Sequence, residues 1–200
     1  MRKISALIII AVLLISSSVF AEDCTPEMTR LELKVYLLEA SIQKAKQINL
    51  SGFRFCGLDL SYTNFSGKGS TGFVSADLSG SNLSGANLEM SLMNSMNLLN
   101  VNFSGANLSG ANFSLAKLRG ADLSGANLTG ANFVSAILKG ANLKGANLTG
   151  ANFTGVNLTN VNLEGADLTD AKFKAVILKN TNLKDAAMGC TNNEICDKNK

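Results

Sequence analysis

The sequence predicts an all-β solenoid, a four-sided tube with 20 residues per coil, on three observations. An apolar anchor recurs every five positions from Phe73 to Met188, and all 24 places in that series hold Leu, Phe or Met. Two residues before each anchor stands a small or β-branched residue, usually Ala, as Ala141 before Leu143. Finally, Phe113, Phe133, Phe153 and Phe173 are 20 apart, Phe73 lies 40 before Phe113, and Met93 fills the missing step, with only Phe103 off the series.

The five-residue unit follows from extended backbone. Residues two apart point to the same side of a strand, so the Ala and its anchor both face inward. The next inward Ala comes three residues after the anchor, an odd step that a continuous strand would send to the wrong face. The chain must bend there. The intervening pairs, such as Thr149-Gly150, have the composition of a corner. Four sides of five residues stack the phenylalanines in one column, which fixes the coil at 20.

The ends are read in order. The opening MRKISALIIIAVLLISSSVFAEDC places Arg2 and Lys3 before an apolar run from Ile4 to Ile15 and small or moderate residues at Val19 and Ala21. This is the layout of a secretory signal peptide over 1–21, cleaved after Ala21, and the run is too short to span a bilayer before its serines begin. Residues 22–49 read as a front cap. Thr25 can cap a helix with Pro26 in its first turn, and Leu31, Val35, Leu38 and Ile42 form one apolar stripe at helical spacing. Residues 50–189 are the repeat. Its first anchors, Leu50, Phe55, Leu60 and Phe65, precede a slip of eight residues to Phe73, which assigns three extra residues to a loop at Ser66 to Gly72. About seven coils result. Residues 190–200 form a terminal loop and tail.

Composition narrows the chemistry. Without Arg2 and Lys3 the chain carries 16 basic and 15 acidic residues, too balanced for a nucleic-acid binder. It has no histidine, which removes the commonest general base and metal ligand, so neither a metal nor a cofactor is expected. The cysteines Cys24, Cys56, Cys190 and Cys196 are even in number, as disulfides in an exported chain would require. They allow three pairings; the favoured one joins Cys24 to Cys56 at the front and closes the loop CTNNEIC with Cys190 and Cys196 at the back. Asp77, Asp122 and Asp167 are 45 apart, so each turns to a different side of the tube and no catalytic pair of carboxylates is assembled.

The iterated A-N-L-T-G and A-D-L-S-G units resemble the pentapeptide-repeat family. The resemblance implies a right-handed quadrilateral β-helix. It also implies that many relatives have no known activity, and that one subgroup imitates B-form DNA in shape and acidity and protects type II topoisomerases. The signal peptide, balanced charge and cysteines depart from that subgroup.

Function is sought where the repeat is broken. The residue before the anchor is Asn or Asp in 17 of 24 units, reading as an outward hydrogen-bonding ladder. The exceptions are Gly72, Leu92, Lys117, Ile137, Lys172, Ile177 and Ala187; modulo 20, all but Ala187 fall on two adjacent sides. On the second of these, Leu99, Arg119, Lys139 and Lys179 follow the anchors. Outward apolar groups beside cations suit a contact surface for a protein or glycan. Leu99, Lys117, Arg119, Ile137, Lys139, Ile177 and Lys179 are therefore the candidate face. The expected function is that of an exported, periplasmic or secreted, non-catalytic binding or scaffold module, with no nucleic-acid partner and no stable membrane insertion after cleavage. Lys144, Glu164 and Lys184 occupy one column and are expected to alternate as an exposed charge ladder.

Overall fold

The computed structural model describes residues 76–189 continuously, together with 48, 49, 52, 54, 55 and 60. The signal peptide, the helical stripe, the four cysteines, the loop at 66–72 and the tail lie outside the described residues.

Each lap of 20 residues has four turns and four short extended sides, and each side pairs in parallel with the side one lap later. Asn82 pairs with Asn102, Asn102 with Asp122, and Asp122 with Asn142. Side 1 carries the anchors Phe113, Phe133, Phe153 and Phe173; side 2 carries Leu98, Leu118, Leu138, Leu158 and Leu178. Side 3 carries Phe103, Leu123, Leu143, Leu163 and Leu183, and side 4, opposite side 2, carries Leu88, Leu108, Leu128, Leu148, Leu168 and Met188. Residues 76–189 thus make between five and six laps.

Corner geometry explains the glycines. The second corner residue has φ between 54° and 72° throughout residues 80–185, while the first is never positive. The anchor carbonyl accepts from the N–H three residues on, as Leu78 O does from Ser81 N at 3.1 Å. One positive φ at the third position of such a turn defines type II, which favours Gly there.

Inside, anchors and the residues two before them form one continuous core. Phe113, Phe133, Phe153 and Phe173 stack with centroids 5.1, 5.0 and 5.2 Å apart and planes within 6° of parallel, while Phe103 meets Phe113 edge-on at 6.0 Å. One core position is a misfit. Ser91 is fully buried and its Oγ has no hydrogen-bond partner. The same column holds Ala111, Ala131, Ala151 and Ala171, so Ser91→Ala should fit unchanged. An orphaned buried hydroxyl costs about 1–3 kcal/mol, so this variant is expected to stabilise the protein by roughly 1 kcal/mol in urea unfolding.

The first lap differs from expectation. Strand β1 (Ile48–Asn49) pairs with β2 (Ala76–Asp77), and Arg54 pairs with Asn82, a step of 28 residues. Leu60 N donates to Asn87 O, keeping that offset, so the extra residues fall between Leu60 and Ala76 and number eight rather than three. Phe65 and Phe73, whose shared anchor chemistry makes each a side in the sequence reading, lie outside the described residues.

Candidate binding face

Why Asn precedes the anchor is visible in its two bonds. Its Oδ1 accepts from the backbone N–H two residues on, bracing the corner, as Asn102 does from Ser104 N at 2.9 Å. Its Nδ2 donates to the equivalent residue one lap earlier. On side 4 Asn127 donates to Asn107 and Asn107 to Asn87, both at 3.1 Å. On side 3 Asn142 donates to Asp122 at 3.0 Å, Asn162 to Asn142 at 3.3 Å and Asn182 to Asn162 at 3.0 Å. A donor below and an acceptor above make amides the repeating choice.

Side 2 abandons this arrangement. Its sequence of rungs is Asp77, Asn97, Lys117, Ile137, Asn157 and Ile177. Asn97 still donates to both oxygens of Asp77 at 3.2 Å. Above it, however, stands Lys117, which has no amide, and Asn97 Oδ1 is buried without a partner. The backbone pairing survives, with Ile137 N donating to Ala116 O at 2.9 Å. Side 2 therefore keeps its main-chain bonds but has no amide at Lys117, Ile137 and Ile177, while Asp77, Asn97 and Asn157 keep side-chain bonds.

In their place it presents exposed groups. Lys117, Arg119, Lys139 and Lys179 are exposed, and none forms an ion pair among the described residues. Ile137 and Ile177 are 49 % and 55 % exposed. Leu99 is half-buried, less open than Arg119, Lys139 and Lys179 at the equivalent position of later laps. The sequence reading missed Leu115. It lies on the corner between sides 1 and 2, is 58 % exposed, and is held at φ 61° where Gly is usual. A leucine in a glycine slot was the available signal: left-handed backbone costs a residue with a Cβ about 1–2 kcal/mol.

Charge is divided across the tube. Taking each rung with the corner that follows it, sides 1 and 2 hold six cations and the single acid Asp77, among residues 76–189. Sides 3 and 4 hold six acids and two cations. Side 2 has no acid after Asp77, and side 4 has Glu89, Asp167 and Asp170 with no cation. The cations of side 3 are Lys144 and Lys184. Lys144 Nζ meets Glu164 Oε1 at 3.1 Å, and the Lys144 hydrogen bond and charge, aided by Lys184 and Asn182, hold the Glu164 carboxyl below its ordinary value. The expected alternation is incomplete, since Lys184 Nζ lies 4.0 Å from Asp185 instead. Asp167 is lowered by the Thr169 hydroxyl and N–H and by Thr149, so it is engaged in the side 4 ladder.

The Pentapeptide repeats family matches in eight copies over residues 73–110, 97–133 and 136–174. No curated protein sequence matches the chain. Among solved structures, a pentapeptide repeat protein from the thylakoid lumen of Arabidopsis thaliana is 30% identical over 58% of this chain and 71% of its own, with a TM-score of 0.39. The pentapeptide repeat protein Rfr23 from the cyanobacterium Cyanothece 51142 is 30% identical over 78% of this chain and 99% of its own, with a TM-score of 0.31. QnrB1, a plasmid-mediated fluoroquinolone resistance protein, is 19% identical over 72% and 83% of the two chains, with a TM-score of 0.36. On the family match, which covers half of its residues, the chain belongs to the pentapeptide repeat family, whose fold is a right-handed quadrilateral β-helix.

Proposed function

We propose that the protein is an exported, non-catalytic solenoid that serves as a binding or scaffold module and makes contact through side 2. Export rests on the leader at 1–21. The contact face rests on one observation above others. Three of its six rungs, Lys117, Ile137 and Ile177, give up the Asn or Asp that the opposite side retains in five of six, and a buried acceptor at Asn97 is left without a partner. A surface selected for stability alone would restore the amides. The non-catalytic reading is supported by Asp77, Asp122 and Asp167 falling on sides 2, 3 and 4, so that these three form no pair.

A DNA mimic would need far denser negative charge. B-form DNA presents about one charge per 1.7 Å. Sides 3 and 4 together have six acids against two cations, and over five to six laps at ~4.8 Å that amounts to one net charge per ~6–7 Å.

The test is capture from a vesicle-free soluble extract of the native cell envelope. Soluble partners retained by the wild type but lost on reversing Arg119, Lys139 and Lys179 to Glu would support side 2 as a protein-binding face. Equal recovery by both proteins would remove side 2 as the face that holds soluble partners.

A further inference from the structure

Side 2 combines three features that together describe its partner. The first is an excess of positive charge: Lys117, Arg119, Lys139 and Lys179 are exposed, against the single acid Asp77 on the first described rung. The second is aliphatic surface beside those cations, from Ile137 and Ile177 on the side and from Leu115 on the corner that leads into it, each about half exposed or more. The third is the opposite side, whose charged residues among those described are acids alone. The tube thus carries an orienting charge separation perpendicular to its axis.

We propose that side 2 docks on the surface of an anionic phospholipid bilayer, with side 4 directed away from it. This rests on side 2 being the contact face and names what it contacts. A plane of parallel rungs fits a planar partner along its whole length. Lysine stems can lie along the headgroups while their ammonium groups meet phosphate, and the aliphatic tips of Leu115, Ile137 and Ile177 reach the acyl boundary. The composition favours lipid over the other surfaces. Protein hot spots are enriched in Trp, Tyr and Arg. The chain has no tryptophan, its two tyrosines lie outside residues 76–189, and side 2 offers one arginine and no aromatic ring. Docking is peripheral: nothing on side 2 is long or apolar enough to insert further.

The experiment uses the processed chain from Glu22, so that the apolar leader cannot itself enter lipid. Co-sedimentation is measured with vesicles of phosphatidylcholine alone and of equal parts phosphatidylcholine and phosphatidylglycerol. Binding is expected only to the second and should weaken at high salt. A cation near an anionic surface contributes about fivefold in partitioning, so Lys139→Glu with Lys179→Glu should reduce binding by at least ~25-fold. Neutralising the far side with Glu89→Gln and Asp170→Asn should leave binding intact. A second variant guards against misfolding. Lys117→Asn, Ile137→Asn and Ile177→Asn together rebuild the ladder, so this protein should unfold at equal or higher urea and yet bind vesicles more weakly.

Lack of preference for phosphatidylglycerol, or equal losses from the side 2 and side 4 variants, would overturn the proposal. If vesicles fail while soluble-protein capture still depends on Arg119, Lys139 and Lys179, the bilayer is excluded and side 2 stands as a protein face. If both fail, side 2 is not the contact face.

Discussion

Phe133→Ala is expected to destabilise the protein by about 3–5 kcal/mol, the range for emptying a fully buried aromatic site. Phe133 is wholly buried, with one ring stacked on each face at 5.1 and 5.0 Å. The neighbouring laps are tied to it by backbone bonds, Phe113 N to Asn132 O and Phe133 N to Asn152 O, both 2.8 Å, so the column cannot collapse to fill the hole. Two controls isolate the cause. Phe133→Leu should cost no more than about 1–2 kcal/mol, because leucine is the ordinary anchor and fills most of the volume. Phe173→Ala should cost less than Phe133→Ala, since Phe173 has a stacked ring on one face only among the described residues. Urea unfolding followed by circular dichroism reads all three. A loss for Phe133→Ala no larger than that for the exposed Thr129→Ala would refute the stacked column as the axis of the fold.

The same column explains how much of the molecule was legible beforehand. A repeat of five with phenylalanine every 20 leaves one closed geometry, because the inward periodicity of two must be broken once per unit and the rings must coincide after whole laps. Phe113, Phe133, Phe153 and Phe173 stack as that geometry requires. The first lap resisted for the opposite reason. Phe65 and Phe73 are chemically equivalent candidates for an anchor, so the sequence alone does not reveal the 28-residue step that the pairing of Ile48 with Ala76 shows. On the surface, the broken ladder could be read from Lys117, Ile137 and Ile177, whereas Leu115 stands on the second corner residue, which the anchor series and its flanking residues do not mark. The charge division escaped because its halves cancel in the total. Reduction of each position modulo 20 exposes both, for the lap length converts a linear sequence into a map of sides.

Asn142→Ala should cost about 2 kcal/mol, the largest effect expected from a residue outside the core. Asn142 Nδ2 donates to Asp122 Oδ1 at 3.0 Å, and its Oδ1 accepts from Lys144 N at 3.2 Å and from Asn162 Nδ2 at 3.3 Å. Each such bond contributes roughly 0.5–1.5 kcal/mol net, and partial exposure lets water replace some of the loss. Asn142→Asp separates the two roles of the amide. The carboxylate can still accept from Lys144 N and Asn162, but it cannot donate to Asp122 and instead faces a like charge. Its destabilisation at pH 7 should therefore match or exceed that of alanine, and it should diminish as the pH falls far enough to protonate one of the two carboxyl groups. Equal stability of Asn142→Asp and wild type at pH 7 would mean that the donor role is idle and that the amide serves only its own corner. On side 2 the sign reverses. Ile137→Asn sits above Lys117 and below Asn157, so it gains a neighbour amide on one edge and an N–H to brace at residue 139. A rod that becomes more stable there while losing its hold on an anionic surface would show that the missing amides were exchanged for contact.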